Sequence, residues 1–270
     1  MKTKVGVIGC GNMNQAIVLG LYDKLPDSFE FITYTPSKVK AQSLAEGVNG
    51  NCASTPEDLS GCDVYLLGCK PQQFGEVAKD FSGTTSEDAL VVSILAGTTV
   101  ETIKQGLGVS SVIRVMPNTP ALVGKGVSAL YCEKGLDPLN KDLAHLILSS
   151  VGSVFELERE ELMDLITPVS GSGPALVFEW TNILASFLKS GGLDEKQSLD
   201  MAIDTIIGSA TLMKQNATNL SELESLRDQV TSKGGVTAVL LDTIAEEGQK
   251  ELLQKALSSA KARSIELSKI

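Results

Sequence analysis

The sequence has 270 residues, 43% of them hydrophobic and 21% charged, and its formal net charge at pH 7 is −10. That length allows one large or two medium domains, and the apolar fraction is sufficient to bury a core. The acidic charge argues against nucleic acid as a partner, because neutralising phosphates needs a basic face. No apolar run approaches the roughly 20 residues of a transmembrane helix, so we expect no membrane partner.

The content of metal-binding and redox residues is low. The five cysteines show no C-x-x-C spacing, and His145 is the one histidine in the sequence. We therefore expect reduced thiols, no disulfide framework and no bound metal. Near the N-terminus a short apolar run leads directly into a glycine loop. Because that run is too short for a signal-peptide core, we predict a cytoplasmic location.

Up to about residue 158, short apolar segments alternate with polar, helix-like segments. Most of the apolar segments are rich in Val, Ile and Leu, which is typical of strands that helices cover on both faces. This alternation predicts a doubly wound, mostly parallel α/β sheet. The predicted strands are residues 4–8, 29–34, 64–69, 90–95, 111–116, 127–131 and 154–157, and the predicted helices are residues 13–22, 37–45, 71–81, 100–106 and 138–150.

The rest of the chain has a helical pattern only, with apolar residues near every third or fourth position. No flexible linker separates the two parts. We therefore predict an α/β domain at residues 1–158 and an all-helical domain at residues 159–270. The helices predicted in the second domain are residues 160–167, 174–190, 194–216, 220–229 and 236–269.

A glycine loop joins the first predicted strand to the first predicted helix. Gly9 permits a tight turn there, and Gly11 lets backbone N–H groups approach a pyrophosphate at the start of the helix. Asn12 and Met13 follow in the same loop, whereas Asn14 stands where the dinucleotide fingerprint has its third glycine. The alternative is an ordinary glycine-rich turn, but the position at the start of an αβ series favours dinucleotide binding.

The end of the second predicted strand bears on the choice of cofactor. NAD enzymes usually carry an acidic residue there, which holds the ribose 2′-hydroxyl. This sequence has Thr35, Ser37 and Lys38 instead. Ser37 would donate to a 2′-phosphate and Lys38 would neutralise part of its charge, so we expect NADPH, with NADH possible. The alternative is a solvated lysine beside a Ser N-cap.

Five further motifs stand in a fixed order along the chain. They are GCKP at 68–71, SILAG at 93–97, RVMPNTP at 114–120 followed by GKG at 124–126, SGSGPA at 170–175 and LRDQVTSKGGVT at 226–237. Together with the glycine loop, they resemble the pyrroline-5-carboxylate reductase family over essentially the whole chain.

The resemblance implies a Rossmann-type dinucleotide-binding domain followed by a helical dimerisation domain, with a homo-oligomer built from dimers. The active site would lie between the domains and be completed by the partner subunit. The implied reaction is the NADPH-dependent reduction of the cyclic imine 1-pyrroline-5-carboxylate to L-proline, the last step of proline biosynthesis.

Cofactor residues are expected beyond the glycine loop as well. Lys70, Pro71, Ala96 and Gly97 follow predicted strands, at the edge of the sheet where a nicotinamide would lie. Cys69 is expected to pack against the cofactor. By resemblance, Pro117 and Asn118 line the nicotinamide pocket and face the substrate. The alternative for this run is a rigid loop whose prolines end a strand.

A second glycine-rich segment precedes an apolar helix in the predicted helical domain. Backbone N–H groups at such a helix start form an anion site that suits a carboxylate, although a helix N-cap without a ligand is the alternative. The resemblance places the substrate carboxylate there, with Ser232 nearby and the Thr237 hydroxyl close to the imine nitrogen as catalytic residues. The expected substrate-binding residues of this segment are Val230, Gly234, Gly235 and Val236.

Three observations leave alternatives open. His145 lies in a predicted helix beside the sheet and is interpreted as structural, and an imine that arrives protonated needs no side-chain acid. Lys233 stands where the family commonly has proline. The competing interpretations are three. The protein would be a related imine reductase, a β-hydroxyacid dehydrogenase with a catalytic lysine, or a non-catalytic NADPH-binding relative. Lys189, the lysine available to a dehydrogenase, is predicted near a helix end.

Overall fold

The computed structural model describes residues 2–268, and Met1, Lys269 and Ile270 lie outside the described residues. Contacts within the chain divide it into two units. The first runs through Ser172 and includes the segment that begins at Ala260, and the second is Gly173–Ser259. No helix in the described residues is long and apolar enough to cross a membrane.

The first unit contains an eight-stranded sheet in the order β3-β2-β1-β4-β5-β6-β7-β8. Every neighbouring pair is parallel except β6 and β7, which are antiparallel. This sheet confirms the predicted fold class. The strands are β1 Thr3–Ile8, β2 Phe29–Tyr34, β3 Asn51–Cys52, β4 Val64–Leu67, β5 Leu90–Ser93, β6 Ser111–Met116, β7 Gly126–Cys132 and β8 Gly152–Glu156.

The central strands are buried on both faces, as their apolar composition predicts. All four residues of β4 and all four of β5 are buried. Their alternating side chains enter two hydrophobic clusters, one containing Leu66 and Val92 and the other containing Tyr65 and Val91. The helices of this part are α1 Asn12–Lys24, α2 Val39–Gly47, α3 Phe74–Asp80, α4 Val100–Leu107, α5 Pro138–Ser149 and α6 Leu162–Ile166.

Three hydrogen bonds join residues that follow the predicted boundary at 158 to other residues of the first unit. Glu160 Oε1 lies 2.8 Å from Arg114 Nη1 on β6 and also accepts a hydrogen bond from Val100 N at the start of α4. Asp164 accepts a hydrogen bond from Ser264 near the C-terminus. The contact-based division therefore falls after Ser172. The boundary at 158/159 stays a prediction about the sequence domains.

The second unit is helical throughout its regular structure. It contains α7 Gly173–Ser190, α8 Glu195–Asn216, α9 Leu220–Gln229, α10 Val236–Glu246 and the first part of α11, which is Gln249–Leu267. The prediction of one continuous helix over residues 236–269 is wrong, because the structure has two helices there. The helix is interrupted at Gly248, whose φ is +68°. The predicted end of that helix, Lys269, lies outside the described residues.

Candidate functional site

The glycine loop after β1 packs directly against the loop after β4. Gly9 has φ +88°, and a Cβ atom there would lie 2.7 Å from the backbone carbon and oxygen of Gly68. Gly9 N donates to Tyr34 O on β2, and Gly68 N donates to Ile8 O on β1. The carboxyl ends of β1, β2 and β4 are therefore held together by backbone contacts that leave no space for a side chain at Gly9.

Asn14, which departs from the glycine fingerprint, holds this loop in place. Its Nδ2 donates to Gly9 O at 2.8 Å and to Leu66 O at 3.2 Å, and the residue is 1% exposed. Gly68 makes room for it, since a Cβ at Gly68 would lie 2.5 Å from Asn14 Nδ2. Sequence reasoning missed this role, because the partners of the amide come from distant positions.

The start of α1 has the geometry of an anion cradle. Gly11 is the N-cap residue with φ −73° and ψ 170°, and no side chain caps the helix. The first helical hydrogen bond in this turn runs from Gln15 N to Gly11 O, so the N–H groups of the first turn have no partner within the helix. An added Cβ at Gly11 would meet nothing within 4 Å. This open, uncapped helix start fits a pyrophosphate.

A cleft of about 400 Å³ opens beside this cradle. We call it the β1–β2–β4 cleft, because the loops after those three strands form its walls. Six of the predicted cofactor residues line it: Gly9, Gly11, Thr35, Ser37, Cys69 and Lys70. Asn12 and Met13 begin α1, and Pro71 begins a single 3₁₀ turn. Lys38 is not among the lining residues, whereas Lys40, which the sequence reasoning did not select, is one of them.

The thiols near this cleft are poor nucleophiles. Burial raises the pKa of Cys10 to about 12 and that of Cys69 to about 11. Both side chains are therefore neutral thiols near pH 7. This agrees with a packing role for Cys69 and gives it no covalent chemistry.

The remaining predicted cofactor residues follow β5 and β6. Ala96 and Gly97 come after β5, and Gly97 has φ +71°. A Cβ there would lie 2.9 Å from Leu267 O, so the end of α11 packs against this loop. Pro117 and Asn118 come directly after β6. The strands β1, β4, β5 and β6 are neighbours and parallel. The loops that follow these four strands therefore lie together at the carboxyl end of the sheet.

Asn118 is 7% exposed, and protein partners occupy both ends of its amide. Its Oδ1 accepts from Val127 N at 2.8 Å, and its Nδ2 donates to Ser170 O at 3.1 Å. The side chain thus joins the MPNTP loop to β7 and to the segment before α7. A substrate contact would have to use the second N–H of Nδ2 or the second lone pair of Oδ1.

We expect Asn118→Ala to lower the free energy of unfolding by about 1–3 kcal/mol, because it leaves Val127 N and Ser170 O without a partner. Urea unfolding measures this change. Asn216→Ala is the matched control, since it removes an exposed amide that bonds only to Leu212 O in its own helix. Equal stability of the two variants would contradict the structural role of Asn118.

The segment from Ser232 to Thr237 forms the start of α10 in the helical unit. Gly235 is the N-cap residue, and no side chain caps the helix. Gly235 N donates to Ser232 O at 3.0 Å, and Ser232 Oγ lies 2.3 Å from where a Gly235 Cβ would be. Gly234 has φ +68°. One turn therefore brings together Ser232, Gly234, Gly235, Val236 and Thr237.

Thr237 is half-buried in the first turn of α10, and Val236 is 90% exposed. The Thr237 hydroxyl has no hydrogen-bond partner in the part of the chain that the structure describes. Val230, the C-cap residue that follows α9, is 64% exposed and lies in a separate cleft of about 430 Å³ between α8 and α9. The turn thus gathers the predicted substrate residues Gly234, Gly235 and Val236, whereas Val230 lies outside it and Asn118 belongs to the sheet unit.

His145 belongs to an exposed charge cluster on α5 and β8. Its Nε2 lies 2.7 Å from Glu156 Oε1, and Lys141 pairs with the other oxygen of that carboxylate. The hydrogen bond from Lys141 is the main reason why the pKa of Glu156 is lowered. The described residues contain no group of three or more His, Cys, Asp or Glu side chains that would hold a metal ion.

Comparisons with known proteins agree with these features. Residues 160–267 match the family "Pyrroline-5-carboxylate reductase dimerisation", and residues 4–97 match "NADP oxidoreductase coenzyme F420-dependent". The pyrroline-5-carboxylate reductase of Pasteurella multocida is 33% identical over 268 residues, which are 97% of each chain.

Solved structures show the same likeness over the whole fold. The pyrroline-5-carboxylate reductase of Coxiella burnetii superposes with a TM-score of 0.88 at 29% identity, covering 100% of both chains. The Plasmodium falciparum pyrroline carboxylate reductase with NADP bound gives a TM-score of 0.85 at 28% identity and covers 98% of both chains.

Proposed function

The chain belongs to the pyrroline-5-carboxylate reductase family, and from that premise we propose that it reduces 1-pyrroline-5-carboxylate to L-proline with NADPH, the last step of proline biosynthesis. The observation that carries the proposal is that two helices have a glycine N-cap and no side-chain cap. Thr99, Asp137, Asp194 and Asn219 cap α4, α5, α8 and α9 with their side chains. In contrast, α1 and α10 have no side-chain cap, and their N-cap residues are the glycines Gly11 and Gly235. The helices α2, α3 and α6 also lack a side-chain cap, but their N-cap residues carry side chains.

An uncapped glycine start leaves backbone N–H groups for an anion. The reaction requires two such sites, one for the pyrophosphate of the cofactor and one for the carboxylate of the substrate. The sheet unit offers the first at Gly9–Gly11 with Asn12 and Met13. The helical unit offers the second at Gly234, Gly235 and Val236. The presence of one site in each unit supports the arrangement that the family implies, in which one unit binds the cofactor and the other binds the substrate.

NADPH supplies the hydride when it is bound, and the protein contributes binding, orientation and electrostatics. Around the cofactor, Thr35 and Ser37 face the ribose phosphate, and Cys69 and Lys70 line the cleft, with Pro71 beginning the 3₁₀ turn that follows them. We assign Ala96, Gly97 and Pro117 to the nicotinamide end. Asn118 fixes the position of its loop through Val127 and Ser170.

The substrate side is proposed to depend on two hydroxyls. Thr237 holds the imine nitrogen by a hydrogen bond, and Ser232 shapes the glycine turn that receives the carboxylate. Val230 lies in the separate cleft between α8 and α9, so we assign it no contact with the substrate in this proposal. No histidine or buried carboxylate of the described residues stands in the α10 turn, so the nitrogen is expected to arrive protonated and Thr237 to orient it.

We further propose a homo-oligomer built from dimers through residues 159–270. The support is the surface of the helical unit, because none of the described residues of α7, α9 and α10 is buried. Phe187 is 76% exposed and Leu220 is 80% exposed. Apolar area of this extent marks an interaction surface. The cytoplasmic location stays a prediction.

The hydroxyacid dehydrogenase alternative is disfavoured by the position of its required lysine. Lys189 lies in the last turn of α7, and its Nζ is 2.6 Å from Glu195 Oε2. Its side chain is 57% exposed, so it pairs with a surface carboxylate. The non-catalytic alternative is separated from the proposed function by the assay below.

The direct test is NADPH oxidation by the purified protein with 1-pyrroline-5-carboxylate, followed by the absorbance of the reduced cofactor. NADH and a reaction without imine are run alongside. We expect turnover with the imine only, and faster turnover at low concentrations of NADPH than of NADH. Binding of NADPH without any turnover of the imine would contradict the proposed reaction and favour a non-catalytic relative.

A further inference from the structure

Two lysines follow Ser37, and the structure separates them. Lys38 has φ +55°, in the region that side chains rarely adopt, and precedes the first residue of α2. Its charge acts on Asp58, whose pKa is lowered chiefly by backbone hydrogen bonds from Thr55 and Ser54 and further by Lys38. Lys38 therefore lies toward the turn Pro56–Leu59 and does not line the β1–β2–β4 cleft.

Lys40 lies in the first turn of α2 and lines the cleft together with Thr35 and Ser37. The Lys40 side chain is exposed and is not held by packing against other described residues, so it can reach a ligand in the cleft. The positive end of the helix dipole favours an anion at the same place. Side-chain charge, helix start and two hydroxyls thus converge at one end of the cleft.

The charge balance of the cleft gives Lys40 particular weight. Among its described lining residues, Lys40 and Lys70 are the cations, and Glu76 and Asp80 are the anions. Without Lys40, two carboxylates would face a single lysine, and the cleft would repel a phosphate. No acidic residue follows β2 to hold an unphosphorylated ribose in the usual way of NAD enzymes.

We infer that Lys40, and not Lys38, is the residue that selects the 2′-phosphate of NADPH over the 2′-hydroxyl of NADH. The inference rests on the proposed function, because it assigns a role within the same cofactor site. It predicts that one lysine controls cofactor preference, while its neighbour two residues earlier has little effect on binding.

Binding of two probes to the intact protein tests this without catalysis. Isothermal titration calorimetry with adenosine 2′,5′-bisphosphate and with 5′-AMP isolates the 2′-phosphate, and NADPH and NADH are titrated in the same way. We expect Lys40→Ala to weaken the binding of the bisphosphate and of NADPH by about 10- to 100-fold, which is the range for the loss of a charge-assisted contact. Affinity for 5′-AMP and NADH should change less than about twofold.

Lys38→Ala is the matched variant, because both lysines are exposed and neither substitution removes a buried contact. We expect Lys38→Ala to weaken the binding of the bisphosphate by less than about twofold. Lys40→Arg, which keeps the charge, should retain most of the preference. An equal or larger effect of Lys38→Ala, or equal losses of NADPH and NADH in Lys40→Ala, would overturn the inference.

The unaltered protein distinguishes this inference from the proposed function. If it binds NADPH and NADH equally and still reduces the imine, the inference about Lys40 is wrong and the proposed reaction stands. If it binds neither cofactor, both are wrong. Selective loss of the 2′-phosphorylated ligands in Lys40→Ala supports the inference whatever the imine turns out to be.

Discussion

Gly9→Ala is expected to lower the free energy of unfolding by about 2–5 kcal/mol and to abolish cofactor binding in the protein that remains folded. Two costs add at this position. Its φ of +88° is strained for any residue with a Cβ, and that Cβ would lie 2.7 Å from the backbone of Gly68. Backbone atoms of a packed strand end cannot move aside cheaply. Urea unfolding measures the stability, and calorimetry with NADPH measures the binding.

Gly11→Ala is the control for this prediction. The same substitution two residues later meets nothing within 4 Å and has an ordinary φ of −73°. We expect its stability to stay within about 1 kcal/mol of the unaltered protein. Affinity for NADPH should fall, because the methyl group would occupy the space proposed for the pyrophosphate. Equal destabilisation by the two substitutions would show that the loop is not packed as described.

This pair illustrates how far the sequence predicts the site. The spacing of Gly9 and Gly11 after an apolar strand predicts the cofactor loop. It does not reveal that a side chain at Gly9 would collide with Gly68 while a side chain at Gly11 would meet open space, because Gly68 lies far along the chain. The role of Asn14 depends on the same distant contacts, with Leu66 and the Gly9 carbonyl.

The two lysines after Ser37 show a similar limit. Their order in the sequence favoured Lys38, which stands next to the serine. The structure begins α2 at Val39 and gives Lys38 a positive φ, so the charge at the cleft comes from the first turn of the helix instead. A local backbone reversal of this kind leaves no mark in hydrophobic periodicity, and a lysine carries no turn preference that would reveal it.

The fold itself was more predictable than the site. The seven predicted strands correspond to strands of the sheet, because buried parallel strands need continuous apolar runs. The strand β3 was missed, since its two residues Asn51 and Cys52 are too few to form a pattern. The break at Gly248 was missed because one glycine costs a helix only about 1 kcal/mol, and the helical pattern continues beyond it.

The second large effect is expected at Thr237, whose hydroxyl has no hydrogen-bond partner among residues 2–268. We expect Thr237→Val to lower kcat with 1-pyrroline-5-carboxylate by about 10- to 100-fold, with little change in the affinity for NADPH. Valine has nearly the shape of threonine, so the start of α10 should keep its backbone, and the loss should come from the missing hydrogen bond to the imine nitrogen. Steady-state kinetics and calorimetry on the same preparation separate the two effects.

Thr243→Val on the same helix is the matched control for this loss. The Thr243 hydroxyl already bonds to Val239 O at 2.8 Å within the helix and is exposed, so its removal should leave kcat within about twofold. The prediction for Thr237 fails if both variants keep full turnover. It also fails if Thr237→Val loses NADPH binding in parallel with turnover, because the hydroxyl would then act on the cofactor or on the fold. A loss of kcat confined to Thr237→Val would assign the imine nitrogen to the first turn of α10, beside the backbone N–H groups proposed to receive the carboxylate.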